Sequence, residues 1–153
     1  MVRISIIDRM HQSAFALLHP WALRLSKLTG RKSNAAVVAV WHRDRLLVVE
    51  HSYLCGLSLP GGQIRSNELP AVAATRELEE EVGVVIAPAE IQLFGRFEQR
   101  HTCLSLFECR LAHEPEIRID KREITAARFM TPAAISESSS MLRKYLRARR
   151  LLS

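Results

Sequence analysis

Residues 59–85, LPGGQIRSNELPAVAATRELEEEVGVV, constrain the fold of this chain more than any other stretch. Pro60, Gly61 and Gly62 demand a turn, because glycine admits backbone angles and close approaches that other residues refuse. Ser66 or Asn67 offers a helix cap, Pro70 is tolerated only in a first helical turn, and Gly83 suits the position just past a helix end. The spacing predicts a helix from Glu68 or Leu69 to Val82, with Ala71, Ala74, Leu78 and Val82 on its buried face. Near its end that helix carries Glu77, Glu79, Glu80 and Glu81. Like charges three and four residues apart repel by roughly 0.2 to 0.5 kcal/mol per pair, so the cluster asks for a reason.

Position around the helix separates these glutamates. At about 100° per residue, Glu80 lies about 60° to one side of Glu77 and Glu81 about 40° to the other, while Glu79 points about 200° away. Three carboxylates therefore converge beside the apolar face, and Glu79 faces solvent. Oxygen-only clusters suit hard divalent cations such as Mg²⁺ and Mn²⁺. The plainer alternative is a solvated acidic helix, with Arg76 and Glu80 spaced for an i,i+4 pair.

The flanking sequence changes period. Residues 35–42 and 45–51 are apolar and rich in β-branched side chains, and Arg43-Asp44 between them reads as a hairpin turn. Residues 91–100 and 102–111 form a second such pair, joined near Gln99 to His101, and residues 126–131 read as a further strand. A helical C-terminus follows, with Met141, Leu142, Tyr145, Leu146 and Leu151 on one side. The plan is α/β, a mixed sheet with helices against it.

Composition excludes several classes. At 153 residues, with 48% hydrophobic and 25% charged content, the chain fits one globular domain. No apolar run reaches the length of a membrane span. Asp8, Arg9 and His11 interrupt any secretory core, so a cytoplasmic location is expected. Cys55, Cys103 and Cys109 form no C-x-x-C pair and read as reduced thiols. The net charge of +6 is concentrated at the ends: residues 1–32 hold six Lys/Arg against one Asp, and residues 141–153 hold five against none. Residues 1–33 read as a basic amphipathic helical extension with Phe15, Leu18, Trp21, Leu25 and Leu28 in a stripe, broken near Pro20 and capped by Gly30. It is better suited to packing on the domain or a partner subunit than to lying on a membrane. Residues 34–138 read as the central domain, and 139–153 as a basic helix packed on it.

From Gly62 to Val84 the chain matches, at each fixed position, the Nudix box G-x5-E-x7-R-E-U-x-E-E-x-G-U, where U is aliphatic. The sequence resembles the Nudix hydrolase family of the MutT type. That resemblance implies an α/β/α sandwich and Mg²⁺-dependent hydrolysis, with Mn²⁺ as a substitute, of a diphosphate linkage in a nucleoside diphosphate joined to a moiety X. It makes Glu77, Glu80 and Glu81 metal ligands, with the Gly61 backbone carbonyl as a further one. Arg76 becomes an orienting residue with Glu68 as its partner; Gly62, Glu68 and Gly83 become structural parts of the box. A further acid from outside the box often serves as ligand or base: Glu123 fits that place, with Glu98 and Glu108 as weaker candidates.

The substrate is less legible. Proline about fifteen residues past the box, typical of ADP-ribose hydrolases, and the tyrosine of diadenosine polyphosphate hydrolases are both missing, as are the NADH pyrophosphatase and coenzyme A signatures. His51, Tyr53 and Leu57 before the box, and Arg96, Arg100 and His101 after it, are the substrate candidates. The expected partner is a small-molecule nucleotide diphosphate derivative, handled by a monomer or homodimer. The alternatives are an RNA 5′-end pyrophosphohydrolase and a non-catalytic Nudix-fold module whose basic ends contact nucleic acid or a protein. The complete box favours the enzyme, since such modules often lose box glutamates.

Overall fold

The protein is described from a computed structural model covering residues 33–99, 102–135 and 138–151. The amphipathic extension expected before residue 33 lies outside these residues.

Among the described residues seven strands form one mixed sheet. Strands β1 (Ser33–His42) and β2 (Arg45–His51) make the first hairpin, in register Trp41 to Leu46 and His42 to Arg45. Arg43, in its tight turn, takes a φ of 56°. Short strands β3 (Leu57–Ser58) and β4 (Gly61–Gln63) follow, pairing with β2 and β1 respectively. The second hairpin is β5 (Gln92–Gln99) with β6 (Thr102–Leu111), and β7 (Ile124–Met130) pairs antiparallel with β2. The parallel element is β1 against β6, in register from Ser33–Thr102 to His42–Leu111.

The strands are apolar on both faces because both are covered. From β1 and β2, Ala36, Val38, Val40, Leu47 and Val49 pack with Ala73, Ala74, Leu78 and Val82 of helix α1 (Pro70–Val82). The alternate residues Ala39, Trp41, Leu46 and Val48 pack with Leu142, Tyr145 and Leu146 of helix α2 (Ser140–Ala148). The result is the three-layer α/β/α arrangement that the Nudix resemblance implied.

Helix α1 starts differently from the sequence expectation. Neither Ser66 nor Asn67 caps it: Leu69, extended at φ −74° and ψ 143°, occupies the cap position without a side-chain bond. The Pro70 ring disfavours helical angles at the residue before it, so the helix begins at Pro70 itself. Asn67 instead turns the preceding loop at φ 63°. Gly83 ends the helix at φ 71°, its N–H donating to the Glu79 carbonyl at 2.9 Å.

Ser139 caps α2, its Oγ accepting from Leu142 N at 3.2 Å. Inside, Trp41 Nε1 donates to the Tyr145 hydroxyl at 2.6 Å. Outside, Arg143, Lys144, Arg147 and Arg150 are exposed, while Arg149 pairs with Glu108 of β6. Leu151 lies past the helix end and is exposed. Among the described residues no helix is long and apolar enough to cross a membrane, and all three cysteines are free.

Candidate active site

The box helix lies against the Gly61–Gln63 strand, and that contact builds the site. The Gly61 N–H donates to Glu81 Oε2 at 2.9 Å, holding a carboxyl that is only 4% exposed. Next to it, Gly62 has no room for a side chain: a Cβ there would stand 2.6 Å from the Glu77 carboxyl carbon. Glycine at this position lets strand and glutamate approach each other.

Arg76 is the hub behind the acids. Its Nε and one terminal nitrogen reach the two oxygens of Glu68 at 2.7 and 3.1 Å; the other terminal nitrogen donates to Glu77 at 2.7 Å and Glu80 at 3.1 Å. A further bond to the Gln63 carbonyl at 3.0 Å ties the hub to β4. Hydrogen bonds from Arg76 and from the Arg65 N–H hold the Glu68 carboxyl at about 2, well below the usual range.

Residues 117–123 close the other side. The Arg118 N–H donates to the Val82 carbonyl and the Asp120 N–H to the Glu81 carbonyl, both at 2.9 Å, so this segment is mounted on the C-terminal turn of α1. Ser52 N, just past β2, donates to the Glu123 carbonyl at 2.8 Å. The result is a cleft of about 230 Å³ lined by Glu77, Glu80, Glu81, Asp120, Arg122 and Glu123.

Burial and mutual repulsion set the electrostatics here. Burial, against the opposing Gly61 N–H, pushes the Glu81 carboxyl up to about 9, with Glu77, Glu123 and Glu80 adding to it. Glu123 is raised for the same reasons, burial first and Glu77 next. The Tyr53 phenol is raised by burial and then by Glu123, Glu81 and Glu77. His51 Nδ1 lies 4.0 Å from Glu81 Oε1, and its ring packs against Tyr53 with centroids 5.2 Å apart.

The donor set fits a hard divalent cation by its chemistry: carboxylate oxygens on a rigid helix, one of them, Glu81, raised by burial and then by the neighbouring acids. Among the described residues no three acids stand close enough to hold an ion as they are. Arg76 and Arg65 engage two of these acids, Arg76 pairing with Glu77 and Glu80 and Arg65 reaching Glu80 at 3.2 Å.

Of the residues singled out by sequence, the structure brings together Glu77, Glu80, Glu81 and Glu123, with Arg76, Glu68, Gly61 and Gly62 behind them and His51 alongside. Arg96 stands exposed on β5 at the far edge of the sheet, outside this cleft, and Arg100 and His101 lie outside the described residues. Glu98 is exposed on β5, and Glu108 is engaged by Arg149. Asp120 and Arg122 are the cleft residues that sequence reasoning missed. They sit on an irregular segment with no spacing rule, and their one signal was closeness to Glu123.

A second hollow, about 100 Å³, lies on the α2 side of the Pro60–Gly61 turn, with Ser58, Leu59, Leu104, Ser139 and Met141 in its walls. The buried Ser58 Oγ has no hydrogen-bond partner among the described residues.

The family model described as NUDIX domain matches residues 30–151. The chain belongs to that family. A MutT NUDIX hydrolase from Burkholderia pseudomallei superposes on this NUDIX chain with a TM-score of 0.69 at 18% identity, covering 76% of this chain and 97% of that one. In sequence the chain is 33% identical over 67 residues to an RNA pyrophosphohydrolase of Hydrogenovibrio crunogenus, covering 44% of this chain and 39% of the relative. It is 41% identical over 51 residues to an 8-oxo-dGTP diphosphatase of Haemophilus influenzae, covering 33% and 38%. The chain thus spans less than half the length of the curated relatives it matches.

Proposed function

We propose that this NUDIX chain hydrolyses a diphosphate linkage in a nucleoside diphosphate derivative, with Mg²⁺ or Mn²⁺ as cofactor. The observation that carries the reading is the convergence of Glu77, Glu80, Glu81 and Glu123, from a helix and a separate loop, on one cleft beside the Gly61–Gly62 turn. Four acids gathered in one cleft repel one another, and a bound divalent cation would relieve the repulsion that Arg76, Arg65 and Arg122 leave uncompensated. Both sequence relatives carry names that state pyrophosphate hydrolysis.

Diphosphates resist attack because their oxygens repel nucleophiles; a divalent cation neutralises that charge and acidifies a coordinated water. Glu77, Glu80 and Glu81 would hold the cation, with the Gly61 backbone beside them. Arg76, bonded to Glu68 and to the Gln63 carbonyl, fixes the helix that carries these acids against β4. Glu123, lining the cleft with the helix acids and raised from its ordinary value by burial and then by Glu77, would take the proton from the attacking water as the bridging P–O bond breaks.

A phosphate-release screen of nucleoside triphosphates, nucleotide sugars, dinucleotides and triphosphorylated RNA, with Mg²⁺ or Mn²⁺, tests this. Turnover of at least one substrate is expected, falling about a hundredfold or more in Glu80→Gln. Equal turnover by wild type and variant would sink the metal assignment. Salt-sensitive RNA binding without turnover would replace the enzyme by a binding module.

A further inference from the structure

Five of the six side chains lining the cleft are carboxylates, and the sixth is Arg122. The other cations near the acids are committed. Arg76 uses all three guanidinium nitrogens on Glu68, Glu77, Glu80 and Gln63, and Arg65 is drawn to Glu80. Among the described residues Arg122 hydrogen-bonds through its side chain to its near neighbour Asp120, with a weaker electrostatic pull from Glu123 and Glu80. Its Nε lies 3.1 Å from both Asp120 carboxylate oxygens and its Nη2 2.9 Å from one, while among the described residues Nη1 makes no hydrogen bond.

The mounting of this arginine is rigid at the backbone and loose at the tip. Its N–H donates to Asp120 Oδ1 at 3.0 Å, and Asp120 N–H donates to the Glu81 carbonyl, so the pair rides on the last turn of the helix that carries the acids. The side chain is 65% exposed and free to change partner. The Asp120 carboxyl, against the burial that would raise it, stays below its ordinary value because of Arg122. It is therefore an ionised resting partner that keeps the guanidinium from collapsing onto Glu80 or Glu123. A diphosphate brings further negative charge into a site already rich in it, and oxygens that no cation touches need a donor.

We infer that Arg122 is a phosphate-binding residue, exchanging Asp120 for a non-bridging oxygen of the substrate diphosphate. The inference rests on the hydrolase reading for its substrate class. A guanidinium matches phosphate as a planar fork, which an ammonium does not. Asp120 holds the fork in readiness, and its release on substrate binding leaves a carboxylate that is 25% exposed and within reach of water.

The test uses methylenediphosphonate, a diphosphate whose carbon bridge cannot be hydrolysed and which carries no base, titrated calorimetrically into the full chain with Mg²⁺. Kinetics on whichever substrate the screen identifies runs beside it. Arg122→Ala is expected to weaken diphosphonate binding about tenfold or more and to raise KM by a similar factor, the loss of one charge-assisted contact. Arg122→Lys should restore only part of either. The melting temperature of both variants should stay close to wild type, since the arginine side chain is 65% exposed and an exposed ion pair contributes little to stability. An Arg122→Ala protein that binds the diphosphonate as tightly as wild type, with KM unmoved, overturns the inference, as does wild type that fails to bind it. Arg122-dependent binding in a protein that turns over no substrate would sink the hydrolase reading alone.

Discussion

Glu81 illustrates how a residue can be placed against its own preference. Its carboxyl is 4% exposed, accepts one N–H from Gly61, and is pushed by burial up to about 9. In the folded chain it keeps a proton that the unfolded chain releases near the ordinary value of 4.5. The folded state then binds more protons than the unfolded one across that window, so stability falls as pH rises from about 4.5 to about 9. Metal-free protein should therefore melt lower at pH 8 than at pH 5. Glu81→Gln, which cannot ionise, should remove that slope and raise the metal-free melting temperature at pH 8 by about 2 °C or more. Added Mg²⁺ should stabilise wild type and not the variant; identical pH slopes in scanning calorimetry would show that Glu81 is not the group responsible. Gly62→Ala works by geometry instead. The new methyl would meet the Glu77 carboxyl at 2.6 Å, and because that carboxyl ends a flexible side chain it can move aside. Denaturant unfolding should change by less than about 1 kcal/mol, within the range of most point substitutions. Turnover should fall about tenfold or more, because Glu77 is displaced from its partners.

At the scale of elements, one guanidinium joins α1 to the strand beside it, alongside the Gly61–Glu81 bond. Arg76, with a side chain 16% exposed, holds Glu68, Glu77 and Glu80 and reaches the Gln63 carbonyl. Arg76→Ala leaves a group of acids facing one another without their hub, and should cost about 2 kcal/mol in urea unfolding besides lowering turnover. A loss of activity at full stability would mean that the hub serves chemistry only. Much of this element was legible in the sequence. Helical spacing separated Glu79 from the other three glutamates, and the box spacing paired Arg76 with Glu68. The hairpins were legible because each is a local pattern, two apolar runs with a polar turn between them. What was hidden depends on distant chain. Nothing near Ser33 announces that β1 will run parallel to β6, or that the three residues Gly61–Gln63 will become a strand against Ala35–Val37. The spacing also could not tell that Glu81 is buried while Glu80 is exposed, since that depends on where β4 lies over the helix. Asp120 and Arg122 reach the cleft through backbone bonds to Glu81 and Val82, which leave no mark on side-chain periodicity.

The molecule as a whole divides its labour between the two faces of its sheet. The α1 face carries the acids, and the α2 face carries the polar lock formed where Trp41 Nε1 donates to the Tyr145 hydroxyl, which also contacts Arg149 and Glu108. The alternating strands β1 and β2 transmit packing to both layers, yet no residue of that lock lines the acidic cleft. Stability and chemistry should therefore separate by face. Tyr145→Phe keeps the ring, which is fully buried, and removes only the oxygen. It leaves the indole N–H of Trp41, itself 4% exposed, without its acceptor. An unsatisfied buried donor costs about 1 to 3 kcal/mol, which urea unfolding would show as a lower midpoint at unchanged slope. Turnover per folded molecule and Mg²⁺ dependence should stay at wild-type values below that midpoint. A parallel fall in kcat would mean that the two layers are coupled through the sheet, and that the α2 face belongs to the site rather than to the scaffold that holds it.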